Sequence, residues 1–295
     1  MSQQPPEPAP PLAGERTESI RVNGLQLLCR QWGSSGSQPI VLLHGLRGFS
    51  GTWRALAASL SHDYHLLAFD QRGRGDSDWD PGCNYYTDAY LADLEAIVDH
   101  VGLRRFALLG HSMGGTTAYV YADRHPLRLT RLLIEDIAPG SSVQGPGAQR
   151  VVAEMAALPD GFDSWSDARA YWHSQRPTVG EEALEQRLAE SLRELPTGRI
   201  VWRYDGRGIS RTRTNPDPSR VVDLWPVIDR LQVRTGIIRG ERSDFCPADT
   251  VEEMCRRNPR ITGVTVPGAS HYVHDDAPAL FAEHVRQFLS RGEFS

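Results

Sequence analysis

A single serine set among small residues, Gly110-His111-Ser112-Met113-Gly114-Gly115, is the position in this chain with the most capacity for covalent chemistry. A hydroxyl becomes nucleophilic only when a base takes its proton, and the base needs a carboxylate that orients its ring and stabilises its charged form. His271 supplies a base. Two aspartates compete to serve it: Asp244, in Gly240-Glu241-Arg242-Ser243-Asp244, and Asp136, in Glu135-Asp136-Ile137-Ala138-Pro139. The N–H of Met113, directly after the serine, is aimed at a developing oxyanion by a sharp strand-to-helix turn, and Leu46, in His44-Gly45-Leu46-Arg47-Gly48, is a second candidate donor. These residue types point to nucleophilic acyl transfer. No His/Cys/Asp cluster has zinc-ligand spacing, so no metal and no cofactor are expected. Gly73-Arg74-Gly75 lacks the pattern of a phosphate loop and reads as a structural turn, as do Asp70 and Asp76 beside it.

Those residues work together only if the chain delivers them to one place. Pro39 to Leu43, Tyr64 to Phe69, Phe106 to Leu109, Leu132 to Ile134, Val233 to Ile238 and Gly263 to Val266 are short apolar runs of the kind found in buried strands. Helix-like segments separate them, around Trp53 to Leu60, Asp88 to Val101, Thr116 to Arg124 and Pro247 to Arg256, with a last helix starting at Pro278. This alternation predicts an α/β protein with a mostly parallel central sheet. A hairpin precedes it, with Thr17 to Val22 and Leu25 to Trp32 flanking Asn23-Gly24, a pair suited to a type I′ turn. In such sheets ligands bind at the carboxyl edge, where the segments bearing Leu46, Ser112, Asp244 and His271 all end.

The domain plan follows. Residues 1–16, rich in Pro, Gln and Glu, are expected to be a disordered tail. Residues 17–139 and 226–295 form the two parts of the α/β core. Between them, 140–225 carries helix-like runs (Gln149 to Ala157, Ser166 to Ser174, Glu181 to Leu195) without a good strand and reads as a helical lid.

Composition limits the partners. Across 295 residues, 32 Lys and Arg against 37 Asp and Glu leave a formal net charge of −5, with no basic block, so nucleic acid and anionic membranes are not expected. The four cysteines lack a redox or zinc spacing, the N-terminus lacks the apolar centre of a signal peptide, and no apolar run is long enough to span a bilayer. A cytoplasmic protein with a small-molecule substrate is expected.

On His44-Gly45, the Asp70 to Ser77 loop, Gly110 to Gly114, Ser243-Asp244, and His271 followed by Asp275-Asp276 and Pro278, the chain resembles the α/β-hydrolase superfamily from about Thr17 onward, in its capped branch of esterases, lactonases and C–C bond hydrolases. The resemblance implies Ser112 as nucleophile, His271 as base, Asp244 as acid, and the N–H groups of Leu46 and Met113 as oxyanion hole. It departs from many relatives in having Ser270, not glycine, before the histidine. Asp244 is favoured over Asp136 because its turn fits the commoner layout, with Asp136 then bracing the lid entrance.

The substrate pocket is expected to draw on Arg47 beside the oxyanion loop, on His111 next to the nucleophile, on Asp136, and on the lid aromatics Tyr171, Trp172 and Trp202. His44 is expected to orient its loop and His274 to be an exposed helix-cap neighbour. The expected activity is hydrolysis of an ester, lactone or thioester through an acyl-enzyme on Ser112. The alternatives are cleavage of a C–C bond in a β-diketone-like substrate and, in another class, a noncatalytic ligand-binding or sensor protein.

Overall fold

Strands built on short apolar runs need cover on both faces, and β-strands over 38–43, 64–69 and 106–111 have it. The computed structural model describes residues 4–7, 9–141, 143, 145–177 and 179–294. The strands β1 (Arg16–Val22), β2 (Leu25–Trp32), β3 (Gln38–Leu43), β4 (Tyr64–Phe69), β5 (Phe106–His111) and β6 (Leu129–Glu135) precede an insertion. After it come β9 (Thr235–Gly240) and β10 (Ile261–Val266), while β7 (Leu192–Glu194) and β8 (Ile200–Trp202) lie inside it. The main sheet has eight strands in the order β1-β2-β4-β3-β5-β6-β9-β10, parallel from β4 onward and antiparallel at β1 and β2. The hairpin turns where the sequence says, with both Asn23 and Gly24 at positive φ.

Side chains alternate across the sheet, which divides the core in two. Val41, Leu43, Phe106 and Leu108 face one layer, made by α2 (Thr87–His100), α3 (Met113–Arg124), α8 (Trp225–Arg230) and α9 (Ala248–Arg257). Ile40, Leu42, Ala107 and Leu109 face the other, covered by α1 (Arg54–Leu60) and α11 (Pro278–Arg291). A further short helix, α10 (Val273–Asp276), follows His271.

The insertion between β6 and β9 contains α4 (Gly145–Ala156), α5 (Trp165–Gln175), α6 (Glu181–Ser191) and α7 (Gly206–Thr214). It also contains the antiparallel β7–β8 pair, where the sequence suggested no strand: the run expected as helix to Leu195 ends at Ser191, and its last residues pair with Ile200 to Trp202. Each of these strands is three residues long, too short for a periodic signal.

The N-terminal tail departs from expectation too. The Glu15 side chain is nearly inaccessible, accepts from Trp32 Nε1 at 3.0 Å and from Arg54 at 2.9 Å, and pairs with Arg30, so this part of the tail is anchored by charge despite its composition. Among the described residues no helix is long and apolar enough to cross a membrane.

Candidate active site

Between β5 and α3 the chain reverses so tightly that Ser112 sits at φ 52, ψ −115, a region that non-glycine residues enter only under constraint. The neighbouring glycines impose it. A Cβ on Gly110 would meet the Gly114 carbonyl oxygen at 2.4 Å, and one on Gly114 would meet that of Leu43 at 2.4 Å, so α3 is pressed against the sheet as only glycine permits. The result is a hydroxyl lifted off the carboxyl edge of β5 at the N-terminus of a twelve-residue helix.

His271 Nε2 lies 3.0 Å from Ser112 Oγ. On the other side of the ring, Nδ1 lies 2.7 Å from Asp136 Oδ2. This corrects the expected pairing with Asp244. The Asp244 carboxylate is held by Arg150 of α4 through both oxygens, at 2.7 and 3.0 Å, and the guanidinium holds it below the usual carboxylate range against the opposing effect of burial. Asp136 has no exposed side-chain surface; besides His271 it accepts from the Gly240 N–H at 2.8 Å and from the Ser243 hydroxyl. Like Ser112, it stands at positive φ, 55°. The turn that carries Asp244 thus contributes its neighbour Ser243, as a donor to the competing aspartate. Phe245 from the same turn stacks on the His271 ring at 4.2 Å between centroids.

The N–H of Met113 opens α3, where no intrahelical acceptor exists, and Leu46 and Met113 border one cavity with Ser112. Arg74, almost fully buried, donates to the Leu46 carbonyl at 3.1 Å and reaches the Met113 sulfur. His44 fixes the same loop: burial drops its pKa to about 3, and the neutral ring accepts from the Gln71 N–H at 3.0 Å. His111 lines the small cavity beside Ser112, with its Nε2 bonded to the His271 carbonyl at 3.0 Å. His274 is buried, not exposed. Its Nδ1 lies 2.7 Å from Glu135, and although burial opposes the charged form, Glu135 and Asp275 together hold its pKa above the ordinary value. The ligand atoms of His111, Glu135 and His274 all lie within 4.8 Å of one another. Because His111 is committed to a carbonyl and His274 to Glu135, with Arg176 and Arg187 beside them, the trio suits a brace under His271 better than a cation site.

Two cavities meet at Ser112. The smaller, about 30 Å³, is lined by His271, Tyr272, Arg47, Arg176 and Arg187. Arg47 pairs with Glu154 at 2.8 Å and lies over the Trp172 ring; Arg176 and Arg187 share Asp275. Among the described residues the Nε atoms of Arg176 and Arg187 have no hydrogen-bond partner. Burial, with Arg187 and Arg47 nearby, lowers Arg176 to about 10 despite the opposing pull of Tyr272. Burial would raise the Tyr272 phenol, but Arg176, Arg47, His271 and Arg150 bring it down to about 7. Glu154 also lines the small cavity, where the three guanidinium groups outnumber this one carboxylate. The larger cavity, about 110 Å³, is mainly apolar, with Tyr85, Met113, Ile137, Val151 and Phe245 in its wall.

The insertion aromatics do not line either cavity. Trp172 is fully buried, its ring 6.0 Å from that of Trp202, and Trp202 contacts Phe162, Tyr171 and Tyr204, so these rings form the core of the insertion. The Tyr171 hydroxyl accepts from Arg47 at 3.5 Å while its ring packs on Phe162, Trp172 and Trp202. What the sequence missed is Tyr272, Arg176 and Arg187; the sole signal was the position of Tyr272 after the histidine, since arginines on an insertion carry no periodic mark of the site they face.

The sequence pattern of the alpha/beta hydrolase fold family matches residues 38–278. The chain is 31% identical over 260 residues to the sn-1-specific diacylglycerol lipase ABHD11 of Mus musculus, an alignment spanning 85% of this chain and 80% of that protein. To the 2-(acetamidomethylene)succinate hydrolase of Mesorhizobium japonicum it is 24% identical over 257 residues, spanning 86% and 89%. A crystal structure of E-2-(acetamidomethylene)succinate hydrolase superposes with a TM-score of 0.83 at 22% identity, over 94% of this chain and 99% of the other, a likeness of fold. With its eight-stranded sheet, its strained serine turn and a match over most of its length, the chain belongs to the alpha/beta hydrolase family and is a hydrolase-type enzyme.

Proposed function

We propose that this protein hydrolyses an ester or thioester of a small to medium-sized substrate that carries an anionic group next to the scissile carbonyl, through an acyl-enzyme on Ser112. The observation that carries the reading is the relay Ser112–His271–Asp136, with contacts of 3.0 and 2.7 Å, opening onto a cavity walled by three arginines. His271 Nε2 takes the Ser112 proton as Oγ attacks the carbonyl carbon, and Asp136 holds Nδ1–H and stabilises the imidazolium. The tetrahedral oxyanion accepts from the N–H groups of Leu46 and Met113. As the carbonyl re-forms, the alcohol or thiol leaves with the proton from His271. Water, deprotonated by the same nitrogen, then attacks the acyl-enzyme and releases the acid and free Ser112.

The arginines support an anionic substrate because buried guanidinium N–H groups without partners are costly unless a ligand supplies acceptors. That a relative is named as a hydrolase of a succinate derivative agrees with this chemistry. The test is steady-state hydrolysis of monomethyl succinate and of methyl butyrate by the wild type and by Ser112→Ala and Arg176→Met. The expected result is no turnover of either ester by Ser112→Ala and a tenfold or larger loss of kcat/KM on the charged ester in Arg176→Met. Faster cleavage of a β-diketone than of any ester would replace this reading with C–C hydrolysis.

A further inference from the structure

The larger cavity at Ser112 contains a charge that its apolar wall does not explain. Arg213, near the end of α7, lines it together with Ser112, Met113, Thr116 and Ile137. Among the described residues no Asp or Glu lines this cavity, and the other arginine in its wall, Arg220, is already paired with Asp88 and bonded to Asn84. Arg213 has no ion pair among the described residues, and its buried Nε has no hydrogen-bond partner. Its neighbours are the phenols of Tyr86 and Tyr90 and a second cation, Arg74; burial foremost, with Arg74, disfavours its charge. An uncompensated guanidinium at a protein–cavity boundary is expensive to keep, and a residue with a neutral tip would fill the same space at lower cost.

We propose that Arg213 is a second anion-recognition position, so that the substrate arm lying in the apolar cavity bears a carboxylate of its own. This rests on the proposed ester hydrolysis and adds the polarity of the longer arm to it. A carboxylate fits better than a phosphate dianion because one guanidinium offers two parallel N–H groups for one negative charge, and no second unpaired cation lines the cavity among the described residues. The two cavities then read different parts of the substrate. The small basic one takes the group beside the reacting carbonyl, and the larger one takes a hydrocarbon stretch ending at Arg213.

The experiment compares monomethyl esters of straight-chain dicarboxylic acids from succinate to azelate with methyl esters of monocarboxylic acids of equal length. The readout is the ratio of kcat/KM, charged over neutral, at each length. The wild type is expected to show a maximum in this ratio at an intermediate length. Arg213→Gln should lower that maximum by about 10- to 100-fold, and Arg213→Lys by less, as loss of a charge-assisted hydrogen bond does. If Arg213→Gln leaves the ratio within threefold at every length while Arg176→Met collapses it, the small basic cavity alone reads the anion and the proposal is overturned. Calorimetric binding of the free dicarboxylic acid of optimal length to wild type and Arg213→Gln gives a second readout without turnover. Equal affinity there overturns the proposal; weaker binding to the variant, with no ester hydrolysed by the wild type, keeps the anion site and removes the ester reading.

Discussion

Replacing Asp136 by asparagine changes one atom and should cost about 10⁴-fold in kcat. The carboxylate has three partners, the Gly240 N–H, the Ser243 hydroxyl and His271 Nδ1. In Asp136→Asn, the amide oxygen keeps the Gly240 bond, which turns the amide NH2 toward His271. An NH2 group donates only, so Nδ1 must give up its hydrogen and become the acceptor. The ring proton then resides on Nε2, the nitrogen 3.0 Å from Ser112 Oγ, which can no longer receive the serine proton. The same tautomer error in another serine hydrolase fold lowers kcat by about 10⁴, close to 5.5 kcal/mol of transition-state stabilisation. In Asp244→Asn the half-buried site loses its charge and one of its two acceptors toward Arg150 but no contact to His271, and kcat should fall tenfold or less. The assay is kcat on one ester for both variants, with melting temperatures to confirm folding. A mild Asp136→Asn together with a crippling Asp244→Asn would refute the reasoning, because it would mean that His271 turns to Asp244 in the working enzyme.

Glu190 of α6 bears on stability. Its Oε2 has no hydrogen-bond partner among the described residues and faces Gly51, and burial raises its pKa from 4.5 to about 7 although Arg30 opposes the shift. Because the folded value exceeds the unfolded one, the contribution of the protonated form is complete below about pH 4.5 and is lost as pH rises through about 7. Glu190→Gln should therefore gain on the wild type progressively as pH rises through those limits, levelling off at no more than about 3 kcal/mol by pH 8, in urea unfolding at several pH values; a difference independent of pH would contradict this. Trp172→Ala removes a fully buried ring from the centre of the insertion and should cost about 3–5 kcal/mol in the same assay. A cost below 1 kcal/mol would place Trp172 at a surface that can open.

The sheet was legible because strands covered on both faces are written as unbroken apolar runs, and the serine turn because its glycines answer to backbone contacts one residue wide. The placement of Ser112 and His271 at that edge followed from where each strand stops. The acid was a harder problem. Asp136 and Asp244 both follow strands that end at the same edge, and what separates them is Arg150, on a helix of the insertion 94 residues before Asp244 in sequence. No local pattern reports which carboxylate an arginine from another element will occupy. The insertion shows the same limit in a second form. Trp172 and Trp202 looked like pocket walls because large aromatics suit both roles, yet they pack on each other, while the cavity walls draw on Arg176, Arg187, Arg213 and Tyr272, residues whose types are ordinary on any surface.

Intact-protein mass spectrometry after treatment with a fluorophosphonate, followed by peptide mapping, tests the central claim most directly. The account predicts one added phosphonyl group, located on Ser112, absent in Ser112→Ala, and formed far more slowly in Asp136→Asn than in Asp244→Asn. A label on another residue, or equal labelling of Ser112→Ala, would contradict it.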